Sequence, residues 1–161
     1  MKASSLNEIK DELKTLPAKA LLDLCMRMAK YKKENKELLT YLLFEAHDEE
    51  AYIKEITVDC DQLFREINKS NIYYAKKSIR KILRILNKYS KYSGQKRTEV
   101  ELLIYFLKKV KSSGIQVQKS TALLNLYNRQ ILRIRKALKT MHEDLQHDYN
   151  EMLEPLILSE K

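Results

Sequence analysis

The sequence has few helix-breaking residues, with two glycines and two prolines in 161 positions. These residue types mark most turns, so their scarcity excludes a fold rich in tight turns. The commonest residues are Leu, Ile, Lys, Glu and Ala, and most of these are good helix formers. We therefore expect a nearly all-α protein.

Long apolar runs are also missing. The most apolar stretch, Leu38 to Ala46, has about half the length that a membrane-spanning helix needs, and it contains Glu45. The N-terminal residues carry charges where a secretory signal would have an apolar segment. These features predict a cytoplasmic protein that does not enter a membrane.

Cysteine is scarce as well. Cys25 and Cys60 lie far apart, and neither belongs to a CxxC pair, which excludes the common zinc and redox motifs. Both lie in helical sequence contexts, and free cysteine is among the residues most often found in cores. We expect two buried free thiols and no disulfide.

Acidic residues are nearly absent from one part of the chain. Residues 67–142 contain nineteen Lys and Arg against only Glu99 and Glu101, a net charge of 19 − 2 = +17. The length suits a single domain over residues 1–161, in which a mildly acidic part (1–66) precedes the strongly basic part (67–142) and an acidic tail (143–161). Such segregation of charge favours an anionic partner.

Capping signals and apolar periodicity predict six or seven helices in an irregular bundle. Ser5 and Glu8 have the spacing of a capping box that opens the first helix, and Pro17 suits the start of the second. Asp48 is a candidate N-cap for the fourth helix. A fifth helix is predicted from Ser70 to about Tyr89.

Two further helices follow in the basic and acidic parts. Thr98 and Glu101 have the spacing of a second capping box, which predicts that the sixth helix begins there. The last helix is predicted to start near Ser120 and to continue to Pro155 as one long C-terminal helix. Tyr127 is expected at the edge of the buried side of this helix, with its hydroxyl in water.

The fifth helix carries the strongest pattern in the sequence. Its basic residues fall within an arc of about 140° at 100° per residue, and apolar residues fill the opposite arc. The last helix repeats the pattern with three basic residues at i, i+4 and i+7. The candidate anion-binding residues are Lys76, Lys77, Arg80, Lys81, Arg84, Lys88, Arg129, Arg133 and Lys136.

This basic face predicts a non-catalytic protein that binds nucleic acid or an acidic protein surface. Cations spaced along one helical face can neutralise successive phosphates, and tyrosines such as Tyr73 and Tyr74 can stack on unpaired bases. The alternative is that the acidic tail covers the fifth helix and neutralises its charge within the molecule.

A second hypothesis is a protein-interaction scaffold of α-hairpins. The segment from Leu13 through Pro17 to Leu24 resembles one helical hairpin of the HEAT and armadillo repeats, in which a short helix turns at a proline into a longer apolar one. That resemblance implies a surface for binding other proteins. A repeat of about 40 residues is missing, which favours an irregular bundle. The long last helix could also join two copies in a homo-oligomer.

A third hypothesis is an enzyme. Glu34-x-x-Glu37 and Glu45-x-x-Asp48 together resemble the ExxE and ExxD motifs of the all-α nucleoside triphosphate pyrophosphatases, which implies four carboxylates around Mg²⁺. Only seven residues separate the two motifs, too few to return on a second helix. A solvated acidic stripe therefore explains them better.

The two histidines near the C-terminus do not form a zinc motif. His142 and His147 stand at i and i+5, so their imidazoles would diverge by about 140° on a helix. We expect no metal, no cofactor and no catalytic residue in this chain.

Overall fold

A computed structural model describes residues 2–158, which form eight α-helices and no β-strand. The helices are α1 (Leu6–Thr15), α2 (Ala18–Tyr31), α3 (Lys33–Thr40), α4 (Glu49–Arg65), α5 (Ile72–Ser93), α6 (Lys96–Ser112), α7 (Thr121–Leu138) and α8 (Glu143–Leu153). A π-helical turn follows α3 at Tyr41–Glu45, and short 3₁₀ turns lie at Val117–Lys119 and Glu154–Leu156. The predicted all-α class and helical bundle are confirmed.

None of the helices between residues 2 and 158 combines the length and the apolar character needed to cross a bilayer. The chain divides into two compact units, Met1–Phe44 and Glu45–Lys161. The single-domain expectation stays a prediction.

The first unit contains α1, α2 and α3. Ser5 and Glu8 form the predicted capping box, in which the Ser5 amide donates to Glu8 Oε2 at 2.7 Å and the Glu8 amide donates to Ser5 Oγ at 3.3 Å. The second helix begins at Ala18 with Pro17 as its N-cap, one position before the first helical position that the sequence predicted for Pro17. The main packing in this unit is between α2 and α3. None of its three α-helices contains a fully buried residue.

The second unit is built around α6, which packs against α4, α5, α7 and α8. The fully buried residues of α6 point in nearly all directions around the helix, because it is enclosed by neighbours. They are Thr98, Val100, Leu102, Leu103, Ile104, Phe106, Leu107 and Val110. The other four helices contribute one apolar face each to this core.

The helices that flank α6 have a defined direction. Glu49 at the start of α4 accepts hydrogen bonds from Ser93 at the end of α5 and from Thr98 near the start of α6. In α7, Arg133 lies near the C-terminus and contacts Glu99 near the start of α6. Both α5 and α7 therefore run opposite to α6 and parallel to each other.

The sixth helix begins three residues earlier than the capping-box spacing predicted. Its N-cap is Gln95, which follows Gly94 at a left-handed φ of 68°, and Thr98 lies inside the helix with no exposed surface. The Thr98 hydroxyl donates to Glu49 instead of capping its own helix. The prediction of a second capping box was wrong because Glu49 of α4, which is remote in the sequence, binds the Thr98 hydroxyl.

The predicted long C-terminal helix is also wrong, since the chain breaks between α7 and α8. Thr140 Oγ1 donates to the Ala137 carbonyl at 2.8 Å, and the His142 ring accepts from the Asp144 amide as the N-cap of α8. Threonine and histidine can satisfy backbone groups outside a helix, which offsets the hydrogen bonds lost at a break. This break brings the number of α-helices in residues 2–158 to eight instead of six or seven.

Two side chains occupy environments that the sequence did not indicate. Tyr127 is only 1% exposed, and its hydroxyl donates to the Leu156 carbonyl at 2.7 Å instead of facing water. Burial raises the pKa of Tyr127 to about 12. Cys60 is buried as expected, whereas Cys25 is exposed on α2.

Candidate anion-binding face

The α5 helix separates apolar from basic residues by their spacing in the sequence, and both of its ends are fixed. The Asn71 side chain caps its N-terminus, and Gly94 ends it in the left-handed conformation that glycine adopts without strain. Its buried residues are Ala75, Ile79, Ile82, Leu83 and Leu86. The core therefore holds one side of α5. The basic residues lie on the other side and form what we call the basic stripe: Lys76, Lys77, Arg80, Lys81, Arg84 and Lys88.

Four cations of this stripe have no counter-charge within the part of the chain that the structure describes. Lys77, Arg80, Lys81 and Arg84 are exposed, and none of them lies within ion-pair distance of a carboxylate in residues 2–158. Like charges at one-turn spacing on a helix repel each other slightly, so this arrangement costs some stability unless an anion joins it.

The acidic tail does not supply that anion within the described residues. The ion pairs of its acids within residues 143–158 are local: Asp144 approaches His142 at 3.4 Å, and Asp148 and Glu151 approach His147 at 3.9 and 3.8 Å. The α8 helix packs on α6 and α7. Residues 2–158 thus offer no support for neutralisation of α5 by the tail.

Tyrosines accompany the basic stripe at both ends of α5. Tyr73 and Tyr74 are 62% and 53% exposed, their rings meet edge to face at 5.4 Å, and Lys76 Nζ lies 5.8 Å from the Tyr73 ring. At the other end, Lys88 Nζ lies 4.7 Å from the Tyr89 ring. The first pair offers flat aromatic surface to solvent directly beside the cations.

On α7, Arg133 joins three helices. One guanidinium nitrogen donates to Asn87 Oδ1 of α5 at 2.8 Å and to Gln130 Oε1 at 3.1 Å, and the other donates to Glu99 Oε1 of α6 at 2.9 Å. A guanidinium has five N–H donors, so two remain. Among the candidate anion-binding residues, Arg133 is distinguished by its hydrogen bond to Asn87, which links α7 to α5.

The contact between Asn87 and Arg133 defines a seam between α5 and α7. Arg80 and Arg84 precede Asn87 by seven and three positions, which places them on the same side of α5. Lys76 lies eleven positions before Asn87, about three helical turns away, and therefore shares that side of α5. On α7, Arg129 precedes Arg133 by four positions and Lys136 follows it by three, so both lie on the same side of that helix as Arg133. The outer flank of α5 carries Lys77, Lys81 and Lys88.

A pocket of about 530 Å³ lies at the end of the seam where α5 ends and α6 begins. Its charged residues are Lys91, Lys96, Glu99 and Arg133. Burial opposes ionisation of Glu99, but hydrogen bonds from Arg133 and Lys96 outweigh it, so the pKa of Glu99 is lowered. This pocket escaped the sequence analysis because it combines three helices. The available signal was Glu99 itself, one of only two acids in the basic segment.

Three of the five basic residues of α6, in contrast, are paired with acids: Lys96, Arg97 and Lys109. Lys109 Nζ lies 2.7 Å from Asp61 Oδ1, and the Tyr105 hydroxyl donates to the same carboxylate at 2.6 Å. The hydrogen bonds from Lys109 and Tyr105 lower the pKa of Asp61. Arg97 contacts Glu101 at 2.8 Å, and burial together with a hydrogen bond to Glu101 raises the pKa of Tyr149 to about 12. These pairs leave most of the excess positive charge of the basic segment on α5 and α7.

Comparison with models of protein families, with curated proteins and with solved structures finds no match for this chain. Its function is therefore inferred from the chemistry of its surfaces, because fold class alone does not determine function.

Two of the four candidate enzyme residues, Glu37 and Asp48, have local partners on their own helices. Asp48 Oδ1 accepts from the Ala51 amide at 3.0 Å as the N-cap of α4, and Glu37 lies 3.7 Å from Lys33. Glu34 is exposed on α3. Among residues 2–158, no three His, Cys, Asp or Glu side chains come together as a metal site.

Proposed function

We propose that this protein binds single-stranded nucleic acid along the basic face that α5 and α7 form. The observation that carries the proposal is the set of four exposed α5 cations, Lys77, Arg80, Lys81 and Arg84, without a carboxylate partner in the described residues. The Tyr73 and Tyr74 rings beside them supply the second element that such a partner needs.

The spacing of the cations favours a polymer with repeating charge. Residues one turn apart, such as Arg80 and Arg84, are separated by about 6 Å along the helix axis. A regular row of this kind can contact successive phosphates and release a counterion at each contact. Exposed tyrosine rings add stacking on unpaired bases, which an acidic protein surface could not use.

A binding assay with matched variants tests this proposal. We expect a fluorescent oligonucleotide of about 20 unpaired nucleotides to bind the native chain and to lose at least about tenfold in affinity when Arg80, Arg84 and Arg129 are all changed to Glu. The control changes three exposed lysines of the same unit, Lys54→Glu, Lys69→Glu and Lys119→Glu, and alters the net charge equally.

Circular dichroism spectra of both triple variants should match that of the native chain, because the substituted side chains are solvent-exposed. Equal losses of affinity in the two variants would show that net charge alone drives binding, and would contradict a defined face. Unchanged affinity in the first variant would also overturn the proposal. Binding of acidic polypeptides without binding of oligonucleotides would assign the face to an acidic protein surface instead.

A further inference from the structure

The N-terminal unit exposes an unusual amount of apolar surface. Large apolar side chains along its whole length remain solvent-exposed: Leu6, Ile9, Leu13, Leu22, Leu24, Met26, Met28, Tyr31, Leu42, Leu43 and Phe44. Concentrated exposure of this kind marks interaction sites in folded proteins, whereas isolated exposed apolar residues are ordinary.

A groove of about 570 Å³ lies within this unit, between α2 on one side and α3 with the following π-helical turn on the other. Its apolar lining is Met26, Ala29, Leu39, Leu43 and Phe44. Its charged lining is Lys30, Lys32, Lys33 and Lys36, without a single acid.

The lysines of the groove are little compensated. Lys33 has the Glu37 carboxylate at 3.7 Å, and its own side chain stays 85% exposed. In residues 2–158, Lys30, Lys32 and Lys36 have no carboxylate within ion-pair distance. The groove therefore combines an apolar floor with a uniformly positive rim.

We propose that this groove binds an acidic amphipathic helix of a partner protein. Such a helix places apolar residues at i, i+3, i+4 and i+7 into a groove of this kind, while its flanking carboxylates meet the rim. Methionine suits the floor because its flexible side chain adapts to different anchors. Positive charge on the rim speeds the encounter and selects against basic helices.

Other occupants use only part of the groove. A nucleic acid strand would pair with the lysines, but its phosphate backbone has no side chains to fill an apolar floor. An anionic bilayer presents a plane, and a plane leaves the concave space between α2 and α3 empty. A second copy of the chain is the remaining alternative.

A designed peptide serves as the probe. It has about 16 residues, with Leu at i, i+3, i+4 and i+7 and Glu at most other positions, and it carries a fluorophore at one end. We expect its fluorescence anisotropy to rise when the full-length native chain is added. A peptide of the same composition in scrambled order and a peptide with Lys in place of Glu should not bind. Equal binding of the scrambled peptide, or no binding of the amphipathic one, overturns the proposal.

Two variants of the chain locate the binding site. Lys30→Glu with Lys36→Glu should weaken peptide binding by about tenfold or more, because it places like charges opposite each other. Phe44→Ser should weaken binding by removing an anchor contact, and since Phe44 is 66% exposed the helicity should not change. The matched control, Lys10→Glu with Lys19→Glu, should bind as the native chain does.

The remaining occupants are outcomes of the same experiment. The triple substitution of Arg80, Arg84 and Arg129 should leave peptide binding intact, so this inference and the nucleic acid proposal can fail separately. Competition by oligonucleotide would assign the groove to nucleic acid. Sedimentation with phosphatidylserine vesicles that depends on Lys30 and Lys36 would assign it to a membrane. Self-association lost in the same variant would assign it to a second copy. Each of these three results overturns the proposal.

Discussion

Arg133 of α7 and Glu99 of α6 form an ion pair, and Arg133 also donates to Asn87 of α5. The contribution of this pair to stability depends on the ionisation of Glu99. The pKa of Glu99 lies below its ordinary value of 4.5, since two cations donate to it. A lowered folded-state pKa stabilises the protein above the ordinary pKa, and that stabilisation is lost as the pH falls through the lowered value. The ionised pair therefore contributes to the free energy of unfolding at neutral pH, and this contribution is lost in strong acid.

We expect Glu99→Gln to reduce the free energy of unfolding by about 1 kcal/mol at neutral pH, because the pair is half-exposed and screened by solvent. At a pH well below 4.5 the variant and the native chain should become nearly equal. Urea unfolding at both pH values measures the difference. Glu143→Gln, at an exposed position on α8, is the control, and an identical pH response of the two variants would contradict the assignment.

The two cysteines differ in their surroundings and should differ in reactivity. Burial, with smaller contributions from Asp59 and Asp61, raises the pKa of Cys60 to about 11, and the residue is only 1% exposed. Because the thiolate is the reactive form, we expect iodoacetamide to modify Cys25 in the native chain and Cys60 only after unfolding. Mass spectrometry of peptides from native and denatured protein tests this. Rapid modification of both cysteines in the native chain would contradict it.

Side chains that bind a neighbouring helix were the least predictable from sequence. The Thr98 hydroxyl was expected to cap its own helix, yet it donates to Glu49, which lies 49 positions away in the chain. The Tyr127 hydroxyl was expected in water, yet it binds the Leu156 carbonyl. Local spacing indicates which groups a residue can reach on its own helix, and it contains no information on partners that the fold brings close.

At the level of helices, the sequence predicted helix starts correctly where a nearby side chain accepts a hydrogen bond from a backbone amide of the first turn. The Ser5 box and the Asp48 cap were predicted, and both are present. The gap between α7 and α8 was missed because neither glycine nor proline marks it. Gln95 caps α6 without a side-chain hydrogen bond, so its residue type gave no indication of a helix start.

The amphipathic pattern of α5 was the most informative sequence feature, since its apolar arc matches the buried residues. Leu86 is 1% exposed against α6, whereas Arg80 on the opposite side is exposed. Leu86→Ala should lower the free energy of unfolding by about 2–5 kcal/mol, through lost burial and the cavity left behind. Arg80→Ala should change it by less than about 0.5 kcal/mol. Urea unfolding measures both, and comparable losses would mean that Arg80 is part of the packing.

Across the molecule, the sequence showed how charge is distributed along the chain but not which charges are paired. The basic segment contains α5, α6 and α7, and its cations were expected to act together. In the fold, α6 is central, and three of its cations pair with acids, among them Asp61 and Glu101. Arg133 of α7 likewise pairs with an acid, Glu99 of α6. The exposed cations of the basic segment without an acidic partner in residues 2–158 therefore lie mainly on α5 and α7, and they include Arg129 and Lys136.

The dependence of binding on salt should distinguish cations that contact phosphates from cations that merely add charge. The logarithm of the affinity for a single strand falls with the logarithm of salt concentration by about 0.7 per phosphate contact. Arg80→Gln and Arg84→Gln should each reduce the slope by about that amount between about 50 and 200 mM salt, while Lys54→Gln should leave it unchanged. Tyr73→Ala should lower the affinity without altering the slope, because stacking releases no counterion.

Fluorescence anisotropy across that salt range gives all four slopes with the same oligonucleotide. A slope that falls equally for Lys54→Gln would mean that the strand responds to the average field of the protein. A change in slope for Tyr73→Ala would mean that the ring positions a cation such as Lys76 and does not stack on a base. Reduced slopes confined to Arg80 and Arg84 would instead place the phosphates along α5, where the structure leaves positive charge without internal partners.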